Sequence, residues 1–197
     1  MPLAPTTIAE TARLRLRRLR DGDLPAFMAY RNDPEVARYQ GWDGITEPQA
    51  CRFIAQQRDV RLGEPGQGCQ VAVALRDTDQ LIGDCYFLVD DREPRQAEIG
   101  YSLARAHQGR GNAAEAVAAL LTWLFQTFDL HRVVAVCDCR NVRSIALLER
   151  LGLRREGHFL QNTWFKGAWA DEYSYAVLRD EWLGRTNATG AGVAQSQ

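Results

Sequence analysis

The 197-residue sequence predicts a single α/β domain in which a mixed, mostly antiparallel sheet of about seven strands is flanked by helices. Three observations predict it. Short apolar runs, alternating or continuous and bounded by turn residues, supply strands. From Ala113 the apolar positions 113, 116, 117, 120, 121, 124, 125 and 128 keep the spacing of one helix face, so a long helix packs on the sheet. Around it, the order strand, Gly-rich turn, helix, strand makes a right-handed crossover within what otherwise reads as an antiparallel meander.

Residues 1–12 read as an N-terminal segment, 13–183 as the domain, and 184–197, with no large apolar residue, as a disordered tail. "LRLRRL" from Leu14 is the first strand, and Leu14 and Leu16 alternate with a basic cluster of Arg13, Arg15, Arg17, Arg18 and Arg20 that reads as a solvated face. Asp23 and Pro25 start a helix that stops near Asn32, ahead of Pro34. Thr46 to Gln49 is a capping-box pattern opening a second helix to about Arg61, which "GEPGQG" breaks. Strands at Gln70–Leu75 and Leu81–Val89 form a hairpin across "RDTDQ", and "QAEIGYSL" from Gln96 is the next strand. After the long helix, "HRVVAVCD" is nearly continuous in apolar residues, hence a strand buried on both faces. A short helix from Asn141 to Leu151 ends at Gly152, and "RREGHFLQ" and "DEYSYAVLR" complete the sheet.

Hydrophobic residues make up 46% and charged residues 25%, ordinary for one buried core, and the net charge of -1 selects neither nucleic acid nor an anionic membrane as partner. No apolar run reaches the length of about 20 residues that spans a bilayer, and "MPLAPTTIAE" lacks the blocks of a signal peptide, so a cytoplasmic location is expected. Five cysteines, at 51, 69, 85, 137 and 139, fit reduced thiols. Cys137 and Cys139 share a strand face but have no nearby pair to complete a zinc set, and no metal is expected.

"HQGRGNAAEA", His107 to Ala116, sets Gly109 and Gly111 at the mouth of the long helix, where free amides and the helix dipole favour an anion. No Lys-Ser or Lys-Thr follows, which excludes a P-loop. Gly109-Arg-Gly111-Asn-Ala-Ala114 satisfies the dinucleotide pattern G-x-G-x-x-A, with Asp138 ending the next strand. However, "ARAHQ" parts it from its strand, and the unit follows a meander instead of opening an alternating series. A turn without a ligand is the plain alternative. "QGRGNA" at Gln108 to Ala113 also matches the Q/R-x-x-G-x-G/A signature of the GNAT superfamily of N-acetyltransferases. "AEIGYSLARAHQGRGNAAEA", "NVRSIALLERLGLRREG" and "GAWADEYSYAVLRDEW" resemble its RimJ/RimL-like branch, over roughly Arg13 to Trp182.

The resemblance implies acetyl-coenzyme A as cosubstrate, with its pyrophosphate on the backbone of Gln108, Gly109, Arg110, Gly111, Asn112 and Ala113. It also implies a splayed strand pair whose free groups, at Tyr101 and Leu103, pair with the pantetheine arm, and a hydrogen bond from Asn141 to that arm. The acceptor implied is a primary amine, foremost a ribosomal-protein-type N-terminus and second a polyamine, aminoglycoside or amino acid.

Amide formation from a thioester needs a neutral amine, an oxyanion donor and a proton for the departing thiolate. Glu98 matches the strand glutamate that serves as base in several GNAT enzymes; its alternative is a solvated strand residue. Ser144 matches a serine that points towards the coenzyme sulfur, and would act as the acid; it also suits the first turn of a helix. Tyr39, Trp42, Trp164 and Trp169 lie in the regions that flank the acceptor cleft of such folds, where aromatic residues contact substrate, anchor a core or close a homodimer. A non-catalytic acyl-coenzyme A sensor is the competing reading of the same motifs.

Overall fold

Alternation along the strands divides the core in two. The computed structural model of the chain describes residues 7–191. Its strands are β1 (Thr7–Glu10), β2 (Leu14–Arg18), β3 (Cys69–Leu75), β4 (Leu81–Val89), β5 (Gln96–Leu103), β6 (Arg132–Asp138), β7 (Arg154–Phe165) and β8 (Ala168–Leu178). They form one sheet in the order β1-β2-β3-β4-β5-β6-β8-β7. Only β5 and β6 run parallel, as they must when helix α4 (Asn112–Thr127) carries the chain back across the sheet between them.

Val71 and Val73 of β3 are buried with Leu120, Leu124 and Phe125 of α4. Ala72, between them, is buried on the other face with Phe27 of α1 (Leu24–Arg31) and Ile54 of α3 (Glu47–Asp59). Helices α5 (Val142–Arg150) and α6 (Arg179–Ala191) join the α4 side through Leu147, Leu148 and Trp182. The capping box of α3 forms, with the Thr46 N–H donating to Gln49 Oε1 at 2.9 Å.

Several elements depart from the expectation. There are eight strands, because β1, inside the segment 1–12, pairs with β2; four residues are too few to show alternation in sequence. α1 stops at Arg31 with Asn32 as its C-cap, as expected, but Pro34 then opens a further short helix, α2 (Pro34–Ala37), that the sequence reading lacked: the Asp33 carboxylate accepts from the Glu35 N–H at 3.0 Å, and a first helical position has no use for the amide that proline lacks. Arg17 is not solvated. It is 2% exposed, and its guanidinium donates to both Asp23 oxygens at 2.7 and 2.8 Å and to Asp79 at 3.0 Å. β6 is buried on one face only, with Val136 41% exposed on the other, because the α1 and α3 layer covers the β3–β4 half of the sheet and stops short of β6.

Helix α6 continues past Gly184, where the disordered tail was expected to begin, through Ala191. The Trp182 indole N–H donates to the Thr122 hydroxyl at 3.0 Å and seats the helix on α4. Residues 1–6 and 192–197 lie outside the described residues. No described helix is long and apolar enough to cross a membrane.

Candidate active site

The glycine turn is built as its residues require. After β5, a single 3-10 turn at Arg105–His107 leads into Gln108, and both Gly109 and Gly111 take left-handed backbone, φ 72° and 79°. Gly111 is the N-cap of α4, so the first amides of that helix have no partner within it. Asn112, 5% exposed, braces the turn by donating to the His107 carbonyl at 3.0 Å. The Gln108 side chain donates to the Leu103 carbonyl at 2.8 Å and accepts from Arg143 of α5 at 2.8 Å. A pyrophosphate fits this turn: the helix mouth offers amides, the open left-handed turn has nothing within 4 Å of a Cβ at Gly109, and Arg143 adds a cation that sequence reasoning missed. Arg13 was missed as well. It donates to the Arg110 carbonyl at 2.9 Å and to Glu115 at 2.6 Å, while the Thr11 hydroxyl also donates to Glu115, which ties the β1–β2 connection to the turn.

β5 and β6 pair from Gln96 opposite Arg132 to Ile99 opposite Ala135 and then part. The gap opens a cleft of about 110 Å³ lined by Gly100 and Tyr101 of β5, Val136 and Cys137 of β6, and Asn141 and Ser144 at the start of α5. Tyr39 and Gln40 close one side, with the Tyr39 hydroxyl donating to the Arg140 carbonyl at 3.2 Å. Asn141 caps α5 through a bond from the Ser144 N–H to its side-chain oxygen at 3.2 Å. The Ser144 and Tyr101 hydroxyls share a hydrogen bond of 2.7 Å. Burial raises the Tyr101 pKa and pushes the Cys137 thiol up to about 11, so both stay protonated at neutral pH.

Strand alternation separates the two chemical candidates. Ile99 and Tyr101 point to the α5 side, and Glu98 therefore lies on the opposite, open face of β5. Its carboxyl pKa is raised, first by loss of water around it and second by the negative charge of Glu172 on β8. Glu172 is itself held by Asn162 at 2.6 Å and Thr163 at 2.8 Å, across the irregular stretch of β7. Glu98 thus stands on one face of the gap and the Ser144–Tyr101 pair on the other.

Of the four aromatic residues singled out from sequence, Tyr39 lines the cleft. Trp42 lies on the Arg31 guanidinium, 3.7 Å from carbon to ring centre, as an internal anchor of its loop. Trp164 and Trp169 pack edge to face at 5.5 Å across the β7–β8 hairpin and stay 62% and 56% exposed. Among the described residues no group of three or more His, Cys, Asp or Glu side chains is placed to hold a metal ion.

A parallel strand pair that splits beside a glycine turn at a helix mouth defines a class, the N-acetyltransferases that draw on acetyl-coenzyme A. The chain belongs to the GNAT acetyltransferase family: residues 13–154 match the acetyltransferase (GNAT) domain. It is 35% identical over 175 residues to the uncharacterised N-acetyltransferase p20 of Bacillus licheniformis, covering 88% of this chain and 97% of that one. It is 33% identical over 84 residues, 43% of each chain, to the ribosomal protein uS5 alanine N-acetyltransferase of Escherichia coli. The crystal structure of a GNAT-family acetyltransferase from Bacillus anthracis superposes with a TM-score of 0.77 at 29% identity, covering 88% of this chain and 99% of that one.

Proposed function

We propose that the protein transfers the acetyl group of acetyl-coenzyme A directly to a primary amine in a ternary complex, with a protein N-terminus as leading acceptor. A small amine such as a polyamine, aminoglycoside or amino acid is the second candidate. The observation that carries this is the placement of Glu98 and of the Ser144–Tyr101 pair on opposite faces of β5, where it parts from β6. The bound cosubstrate supplies the acetyl thioester. Gln108 to Ala113 hold its pyrophosphate, and Tyr101 and Leu103 offer main-chain N–H groups to its arm, their carbonyls already accepting from Gln40 and Gln108.

Glu98, exposed on its face of β5 yet raised in pKa, is a stronger base than an unperturbed carboxylate and takes the proton that the attacking amine releases. Ser144, with Tyr101 behind it, donates a proton to the departing sulfur, and direct attack requires no cysteine as acetyl carrier. An α-amine of pKa about 8 is roughly one-tenth neutral at pH 7, a cost near 1.4 kcal/mol, against about 4.6 kcal/mol for a lysine amine. One carboxylate meets the smaller demand more readily, which favours the N-terminal acceptor. The relative from Escherichia coli, named as an alanine N-acetyltransferase of ribosomal protein uS5, supports a protein acceptor. A cytoplasmic setting and a homodimer closed by the exposed hairpin aromatics complete the reading.

The test follows free thiol release from acetyl-coenzyme A with a panel of peptides bearing free N-termini and of small amines, beside thermal stabilisation by coenzyme A and by NADH. Coenzyme A raising Tm by several degrees, with thiol release that depends on the peptide N-terminus, is the expected result. Release with small amines alone overturns the leading acceptor, and stabilisation by NADH alone overturns the cosubstrate.

A further inference from the structure

The chain has 24 lysines and arginines together, and Lys166 is the one lysine. It occupies an improbable position. The β7–β8 hairpin turns in two residues, with Phe165 opposite Ala168, and both Lys166 (φ 49°) and Gly167 (φ 84°) are left-handed. Such a turn favours Asn, Asp or Gly at its first position, because a lysine Cβ is strained there. The side chain accounts for the exception. Its ammonium donates to the Ala37 carbonyl at 2.8 Å, the Trp42 carbonyl at 2.9 Å and the Asp43 carboxylate at 2.6 Å. Three acceptors converging on one point match the three donors of an ammonium and not the planar fork of a guanidinium.

The segment so held, 37–43, is the one that carries Tyr39 and Gln40 into the cleft. There the Gln40 amide donates to the Tyr101 carbonyl at 3.4 Å, and from beneath Trp42 rests on Arg31. We propose that Lys166 is a positioning residue for acceptor selection: it latches the hairpin tip to segment 37–43 and so sets the width of the amine side of the cleft. The proposal rests on the reading of that cleft as the acceptor site.

Lys166→Met and Lys166→Arg are compared with the wild-type protein. Hydrogen exchange of the amides of residues 38–43 reads the latch without any acceptor. Both variants are expected to exchange there at least tenfold faster, with the same Tm within a few degrees and coenzyme A affinity within twofold. With the amines that the wild-type protein acetylates, the KM for the amine rises about tenfold, kcat holds within threefold, and the preference for slim over bulky amines narrows. Unchanged exchange in Lys166→Met overturns the latch. Faster exchange with unaltered KM and amine preference overturns its role in selection. Full retention by Lys166→Arg overturns the requirement for an ammonium. A wild-type protein that releases thiol with no amine defeats the acceptor reading instead, and is recognised before any variant is made.

Discussion

Glu98 shows how little a residue's neighbours in sequence say about its working environment. "QAEIGY" places a carboxylate in an apolar strand, which is enough to expect a raised pKa but not to choose its face; the second cause, Glu172, sits 74 positions further along the chain. Glu98→Gln is expected to lower kcat/KM at pH 7 on the order of 10²-fold, within the range for a general base. The deficit shrinks as pH rises and the amine loses its own proton, while coenzyme A affinity is kept; a pH–rate profile of both proteins checks this. The substitution also carries a stability signature. A carboxyl whose folded pKa is raised holds its proton more tightly folded than unfolded, so stability falls as pH climbs from the unfolded pKa through the folded one. Glu98→Gln removes that fall: its Tm exceeds that of the wild type at pH 8 and equals it near pH 4. Ser144 and Tyr101 were each singled out in the sequence, but their 2.7 Å hydroxyl pair was not, because they lie 43 positions apart. If they act as one donor, Ser144→Ala and Tyr101→Phe each slow turnover and the double variant is no slower than the worse single one.

The elements that sequence rendered well are those with a local signature. The α4 periodicity, the Thr46–Gln49 box and the glycine turn each declare themselves within a few residues, and each is found in place. What escaped depends on remote partners: β1 exists by pairing with β2, and the open face of β6 exists because no helix reaches it. The glycine turn shows the same division. Gly111 was readable, whereas the Arg13 brace, contributed by a loop 98 positions earlier, was not. Gly111→Val forces a β-branched residue into left-handed backbone at about 1–2 kcal/mol or more and disturbs the Arg13 contact, 3.4 Å from the new Cβ. A weakening of coenzyme A binding of at least tenfold by calorimetry is expected. Arg13→Ala takes the cation from the Glu115 carboxylate beside the same helix mouth and leaves it the Thr11 hydroxyl and the main-chain N–H at position 13; coenzyme A affinity falls, and Glu115→Gln in that background restores part of it.

At the scale of the whole molecule, the two helix layers meet the sheet through unlike interiors. The α4 side is apolar, whereas the α1 side encloses charge: Asp84, 1% exposed, accepts from the Tyr30 hydroxyl, from Arg31 at 2.8 Å and from Gln70 at 2.7 Å. Asp84→Ala strands the Arg31 guanidinium and is expected to cost about 3–5 kcal/mol in urea unfolding. The loop on Trp42 would loosen with it, since that ring rests on Arg31. Lys166 reaches the same loop from outside, and its solitude has a practical side. Apart from the α-amine, a reagent that seeks primary amines finds one address on this protein, at the tip of the β7–β8 hairpin. A dye attached there needs no engineered cysteine and no removal of competing sites. Its rate of attachment becomes a clock for how often the hairpin lets go of its neighbour.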